Sequence, residues 1–398
     1  MLFLIHMAIT IEQILDQIYQ SIVHHTETPA LDAQVLVSNI LDKSRPWVIA
    51  HPETHIDGHH YIKIIQALSR LEQGEPLPYV IGHSEFFSLD FCLTHDVLIP
   101  RPETELLVER GISWLRNHPS QRKAIDVGTG SGCIGISLAI NIADLNILMT
   151  DISPEALKVA RINVEKYCIA ERMEFKQANL LDGIIGQYGL ICANLPYIPS
   201  QVLQELPVAD REPWVALDGG EGGTEVISRM LDQARGCLVP GGLILLEIEY
   251  SQGNEVKKLA RTLYPDCQVE IIKDLAGLDR CIELKSSNLL VHLCQKQDWQ
   301  QAQVQGYYVS NSISQEGFVH CSQPHQILQV ANRFYKQVPG LALLWMDPEK
   351  ISPEIRWEYS DGALFPHIYG PINLDAVISV TDINPDEDGI FRVVKFKD

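Results

Sequence analysis

The sequence predicts an α/β chain: a parallel sheet with a glycine turn at its centre, a helical region before it and a small α+β region after it. Three observations predict this. From residue 123 onward the pattern of strand, glycine turn and helix repeats, with Ala124-Ile125-Asp126-Val127 running into Gly128-Thr129-Gly130-Ser131-Gly132. Ahead of it, apolar residues recur at helical spacing over 9–71, as in Ile11, Ile14, Leu15, Ile18 and then Leu31, Val35, Leu36, Ile40. Further on, an apolar run stops at Asn194-Leu195-Pro196-Tyr197, the signature of a buried strand that ends in a stiffened polar turn.

Composition bounds the reading. A chain of 398 residues calls for two or three domains, and 46% hydrophobic with 21% charged residues is the balance of a soluble globular protein. Acidic residues outnumber basic ones 51 to 31, the net charge is −20, and no basic run tracks a phosphate backbone, so nucleic acid is not expected as a direct partner. The opening Met1-Leu2-Phe3-Leu4-Ile5-His6 is too short for a signal-peptide core, and no apolar run reaches membrane-spanning length. The start is Met1 or Met7. The 9 cysteines contain no Cys-x-x-Cys pair, which points to a reducing cytoplasm with thiols serving as small apolar residues. His51, His55, His59 and His60 sit around Pro52 and Gly58, which break the helix that would align them. A solvated loop explains them, and no metal is expected.

Taken in order, residues 1–75 read as a helical domain and 76–97 as a linker with a β-hairpin, Pro-rich at its start and extended over 79–91. Residues 98–286 hold the sheet. Prolines fix the loop Leu98-Ile99-Pro100-Arg101-Pro102, and a helix starts under Glu103 and Glu105. Strands follow at 124–127, 146–151, 172–177, 188–193 and 243–247, and 269–272 with 281–284 form a closing pair, giving a seven-stranded mixed sheet. Residues 287–398 read as a small α+β domain, with strands at 289–294, 341–346 and 377–380 and helices at 299–305 and 325–336.

The chemistry gathers at the carboxyl ends of the strands, where open α/β sheets bind ligands. The turn of Gly128, Thr129, Gly130, Ser131 and Gly132 lets the backbone approach a ligand, and Asp126 lies at its base. Asp151 ends the second strand, where an acid accepts both ribose hydroxyls of a nucleoside, and Asn179 with Leu180 follow the third strand in reach of an adenine. The glycines alternate and Cys133 stands next, outside the Gly-x-Gly-x-x-Gly register of pyrophosphate cofactors. Together with the Asn194 turn, this points to S-adenosyl-L-methionine, with Asp126, Gly128, Thr129, Gly130, Ser131, Gly132, Asp151, Asn179 and Asn194 as its expected contacts. At that turn the Asn194 oxygen and the Leu195 carbonyl, held by Pro196, can each accept one N–H of a planar amide while Tyr197 packs on its face.

Residues 9–285 resemble the HemK-type protein-(glutamine-N5) methyltransferases that modify peptide chain release factors. The resemblance rests on Pro76-Leu77-Pro78-Tyr79-Val80-Ile81-Gly82, Leu98-Ile99-Pro100-Arg101-Pro102-Glu103-Thr104-Glu105, Asp126-Val127-Gly128-Thr129-Gly130-Ser131-Gly132, the Asn194 turn, and Glu212-Pro213 with Ala216-Leu217-Asp218-Gly219-Gly220. It implies a Rossmann-like domain that methylates the glutamine of a Gly-Gly-Gln motif, with Asn194, Leu195, Pro196 and Tyr197 catalytic and, with Arg101 and Glu103, in contact with the substrate. It also implies that the helical domain and hairpin grip the release factor. The family turn is Asn-Pro-Pro-Tyr, and this sequence has Leu195 in place of the first proline.

Two other readings stay open on the residues alone. Amino-methyltransferases of adenine or cytosine in nucleic acid share the Asn-x-Pro-Tyr turn, and Leu195 could leave a cofactor-binding scaffold with an impaired turn. The last region resembles a small bacterial family of unknown function through Phe318-Val319-His320-Cys321-Ser322 and Phe365-Pro366-His367-Ile368-Tyr369-Gly370-Pro371. That family is similar in fold to ADP-ribosyltransferase-like domains, and His292, His320, Ser322, His367 and Tyr369 are candidates to line one cleft. A monomeric, cytoplasmic fusion protein is expected.

Overall fold

The computed structural model describes residues 9–264, 267–360 and 363–392; the alternative starts Met1 and Met7 lie outside them. The chain opens with α1 (Ile11–Ile22), α2 (Pro29–Leu41), α3 (Arg45–Ala50) and α4 (Gly58–Glu72). Side chains define their starts. Thr10 and Gln13 close a capping box on α1, Ser44 caps α3, and the Asp57 carboxylate accepts the N–H groups of His59 and His60. Ile11, Ile14, Ile18, Leu36, Val37, Ile64 and Leu68 meet in one core, each burial contributing about 2 kcal/mol.

The linker corrects one expectation. Residues 77–81 are helical, as α5 (Leu77–Ile81), because Pro78 falls in the first turn, where its missing N–H leaves nothing unpaired, and Gly82 at φ 79 ends the turn. Leu77, Val80 and Ile81 pack on the helical core. The hairpin β1 (His83–Phe86) and β2 (Leu89–Cys92) turns Phe86 and Phe91 into the core of the sheet region, so the linker is packed at both ends.

Then come α6 (Glu105–Asn117), β3 (Lys123–Val127), α7 (Cys133–Asn141), β4 (Asn146–Asp151), α8 (Pro154–Lys166), β5 (Met173–Gln177) and β6 (Tyr188–Ala193). An excursion holds β7 (Ile198–Pro199), α9 (Ser200–Leu203) and β8 (Asp218–Gly220), after which α10 (Glu225–Ala234), β9 (Leu238–Glu247), α11 (Gly253–Leu263), β10 (Gln268–Lys273) and β11 (Asp279–Lys285) complete the region. The sheet has seven strands in the order β10-β11-β9-β6-β3-β4-β5. The pairs linking β9, β6, β3, β4 and β5 are parallel, and β11 runs antiparallel to both β9 and β10. Leu107, Leu138 and Val164 from α6, α7 and α8 bury one face, and Ile227, Met230 and Val256 from α10 and α11 bury the other, so the strands are apolar on both sides.

The last region contains β12 (Leu290–Gln295), α12 (Lys296–Gln305), β13 (Tyr307–Tyr308), α13 (Asn311–Glu316), β14 (Val319–His320), α14 (Ile327–Phe334), β15 (Leu341–Met346), β16 (Glu354–Ser360), β17 (Ala363–Tyr369), β18 (Ile372–Asn373) and β19 (Val377–Ile383). Its main sheets run β12-β15-β19 and β14-β17-β16. The β16–β17 hairpin goes unannounced by hydropathy, because only Ile355 and Trp357 of β16 turn toward the core. This region meets the larger sheet at the amino end of β9. There Gln323 Nε2 donates to the Leu238 carbonyl, and His325 and Arg235 exchange hydrogen bonds with each other's carbonyls.

Candidate active site

The register of the sheet assembles the site. Val127 pairs with Ala193 and Thr150, and Ala193 pairs with Leu246. The next residue on each strand therefore falls in one row along the carboxyl edge: Glu247, Asn194, Gly128, Asp151. Strand order reverses between β3 and β6, which opens the crevice in front of Gly128 and Asn194. A cavity of about 350 Å³ occupies it. Gly128, Thr129, Gly130, Ser131, Asp151, Asn179, Asn194, Leu195 and Pro196 line it.

The glycine turn is held from behind. Asp126 Oδ2 accepts the Thr129 hydroxyl at 2.6 Å and the Gly135 N–H at 3.0 Å, and burial pushes this carboxyl up to about 6. Asp126 thus supports the turn without lining the cavity, and Gly132 likewise stands behind the wall: a Cβ there would lie 2.9 Å from Met149 Cε. Gly130, at φ +55, faces open space. Asp151 uses both oxygens on the backbone, Oδ2 accepting the Gly130 N–H and Oδ1 the Ser153 N–H, each at 2.9 Å. Burial raises its pKa against the pull of those bonds.

At the second turn, Asn194 Nδ2 donates to Thr104 Oγ1 at 3.1 Å, and the Thr104 hydroxyl donates to Glu247 Oε2 at 2.6 Å. The Tyr197 hydroxyl, its pKa raised by burial, lies 3.4 Å from Glu247 Oε1. Leu195 turns inward, 3% exposed, with Cδ2 3.2 Å from where a Cβ on Gly128 would sit. Arg101 pairs with the buried Glu212, whose other oxygen accepts the Ile99 N–H, so it ties the proline loop to Glu212-Pro213. Neither Arg101 nor Glu103 lines the cavity.

Residues 13–82 match the profile of the PrmC N-terminal domain, and 103–209 that of the methyltransferase small domain. Over 257 residues the chain is 41% identical to a release factor glutamine methyltransferase from Moorella thermoacetica, covering 64% of this chain and 90% of that one. The chain belongs to the release factor glutamine methyltransferase family. A second relative of that name, from Koribacter versatilis, is 34% identical over 277 residues, 67% of this chain and 97% of its own. This methyltransferase is thus an enzyme of protein glutamine methylation joined to a further region, since 293–380 match a family of unknown function (DUF952). That region is similar to protein CC0527 from Caulobacter crescentus, at 29% identity over 26% of this chain and 93% of that one, with a TM-score of 0.25.

The family implies S-adenosyl-L-methionine, and the residues fit it. The open space at Gly130, the Asp151 carboxylate on the wall and the apolar Ile152, Ala156 and Leu180 suit a nucleoside with a flexible tail, and among the described residues the buried Ser131 hydroxyl has no oxygen or nitrogen partner, only the Cys133 thiol beside it. Among the described residues no helix is long and apolar enough to cross a membrane.

Sequence reasoning missed Thr104 and Glu247. The signal was available, since Glu247 ends an apolar strand as Asp151 does, and Thr104 stands between two acids that drew the attention. In the last region, His320, His367 and Tyr369 share the outer face of β14-β17-β16 with Phe318 and Glu358. His367 pairs with Glu358 and stacks on Phe318. His292 and Ser322 do not join them. His292 is buried against the His320 carbonyl and the Tyr308 hydroxyl, its pKa lowered to about 4 by burial, and Ser322 bridges to Val291 through the backbone.

Proposed function

We propose that this methyltransferase transfers a methyl group from S-adenosyl-L-methionine to the side-chain amide nitrogen (N5) of the glutamine in the Gly-Gly-Gln motif of peptide chain release factors. One observation carries the reading: Asn194 lines the cavity beside the glycine turn with its nitrogen tied back to Thr104, which leaves its oxygen to accept from a substrate amide. Residues 1–75 and the 76–97 linker are the surface offered to the release factor, and 98–286 perform the transfer. Gly128, Thr129, Gly130, Ser131, Asp151 and Asn179 would hold the cofactor, which when bound supplies an electrophilic methyl group.

A glutamine amide nitrogen is a poor nucleophile because its lone pair is delocalised into the carbonyl, so positioning must supply much of the rate. The Asn194 oxygen and the Leu195 carbonyl each accept one amide hydrogen, which lets the nitrogen pyramidalise and aim its lone pair. Both bonds strengthen as positive charge develops on nitrogen. Tyr197 packs over the planar group, Pro196 restrains the Leu195 carbonyl, and water takes the proton once the nitrogen is alkylated.

The test incubates the protein with labelled cofactor and either a release factor or duplex DNA, then maps the label by mass spectrometry. Label on the Gly-Gly-Gln glutamine is expected, and Asn194→Ala should lower kcat about 10²–10³-fold while cofactor affinity stays within about twofold. Label on DNA would establish the nucleic-acid reading instead, and cofactor binding without transfer would leave a scaffold.

A further inference from the structure

The row along the sheet edge contains one residue, Glu247, that belongs neither to the amide clamp nor to the cofactor-holding set. It is 1% exposed and stands next to Asn194, and among the described hydrogen bonds it reaches Asn194 through Thr104. We propose, resting on the glutamine-methylation reading, that Glu247 is the positioning residue of the clamp: acting through Thr104 it sets which end of the Asn194 amide faces the substrate, and its protonation releases that setting.

The argument is one of hydrogen-bond polarity. An ionised carboxylate only accepts, so the Thr104 hydroxyl must spend its proton on Glu247 Oε2. The Thr104 oxygen is then left to accept, and the Asn194 group that meets it must be the NH₂. The Asn194 oxygen is turned outward as an acceptor, which a substrate NH₂ requires. A protonated Glu247 reverses the relay. Its O–H can donate to Thr104, the Thr104 proton is freed toward Asn194, and the amide gains by turning its oxygen inward. The clamp would then offer NH₂ to NH₂, two donors face to face. The same carboxylate holds the Tyr197 hydroxyl on its other oxygen, so both sides of the clamp answer to one proton.

The surroundings place that proton in a working range. Arg280 from β11 favours the ionised form, as do the bonds from Thr104 and Tyr197, while Glu103 from the turn before α6 opposes it. The Cys133 thiol from α7 and the Cys281 thiol across the strand pair face it too, and burial keeps both neutral. Burial dominates and pushes the Glu247 carboxyl up to about 7. Its ionised form therefore prevails above about pH 7 and is lost below it.

The experiment measures kcat, KM for a release factor and cofactor affinity from about pH 6 to about pH 8. Wild type should lose about tenfold in kcat per pH unit on the acid side of about 7, with cofactor affinity unmoved. Glu247→Gln, which cannot titrate, should flatten that limb. Thr104→Val keeps the volume but cuts the relay, and should lower kcat about 10–100-fold and flatten the limb as well; Thr104→Ser should restore both. Melting temperature controls for folding, and the two positions give independent variants should one fail to fold. An acid limb unchanged in a folded Glu247→Gln or Thr104→Val protein overturns the positioning role alone. A wild type that methylates no release factor at any pH overturns the glutamine-methylation reading and the positioning role with it.

Discussion

Replacing Leu195 by proline, the residue its family carries there, tests what the turn requires. The Leu195 side chain is buried beneath the glycine turn, against Gly128 and the core that includes Val127, Ile191 and Ala193. A proline ring keeps three of its four side-chain carbons, so the change removes about one methyl group, or about 0.8 kcal/mol of transfer energy, with a further ~0.5 kcal/mol for the small void left behind. Against this, Leu195→Pro restricts the unfolded chain and returns about 0.4–1 kcal/mol. Among the described hydrogen bonds none is donated by the Leu195 N–H, so none is forfeited. The sum predicts a stability within about 1 kcal/mol of wild type and an activity preserved or modestly raised, because Pro196 already restrains the carbonyl. Leu195→Ala sets the scale: it deletes three buried carbons and should cost about 3 kcal/mol. Urea denaturation gives the stabilities, and methyl transfer to a release factor gives the activities. Two results would refute the reasoning. A loss above about 3 kcal/mol for Leu195→Pro would mean the backbone there does not suit proline, and a large loss of activity at unchanged stability would mean the substrate senses the leucine.

Asp151 is expected to respond to a change of a single atom. Both of its oxygens accept backbone N–H groups, so Asp151→Asn sets an NH₂ against the N–H of Gly130 or Ser153; cofactor affinity should fall about 10–100-fold, and calorimetry showing no change would remove Asp151 from the site. The two glycines should separate by crowding. Gly132→Ala, at φ +85 with Met149 Cε at 2.9 Å, should destabilise by about 2–3 kcal/mol, whereas Gly130→Ala, at φ +55 in open space, should cost about 1 kcal/mol; equal losses in thermal unfolding would show that backbone conformation alone matters.

What the sequence determined by itself was whatever depends on neighbours in the chain. The helical spacing of Ile11, Ile14 and Ile18, the strand and glycine turn of 124–132, and Pro196 after Leu195 each act over a few residues, so composition and period reveal them. The tertiary structure decided what depends on parallel strands meeting in register. Glu247, Asn194, Gly128 and Asp151 lie far apart in the chain and share one row only because β9, β6, β3 and β4 pair as they do. Thr104 enters from another element, and its hydroxyl acquires a direction only from the acid on one side and the amide on the other. Asp126 and Arg101 show the converse. Their residue types suit a ligand, yet the fold turns one to the back of the glycine turn and the other onto Glu212, because a buried carboxylate must be hydrogen-bonded or paired with a cation.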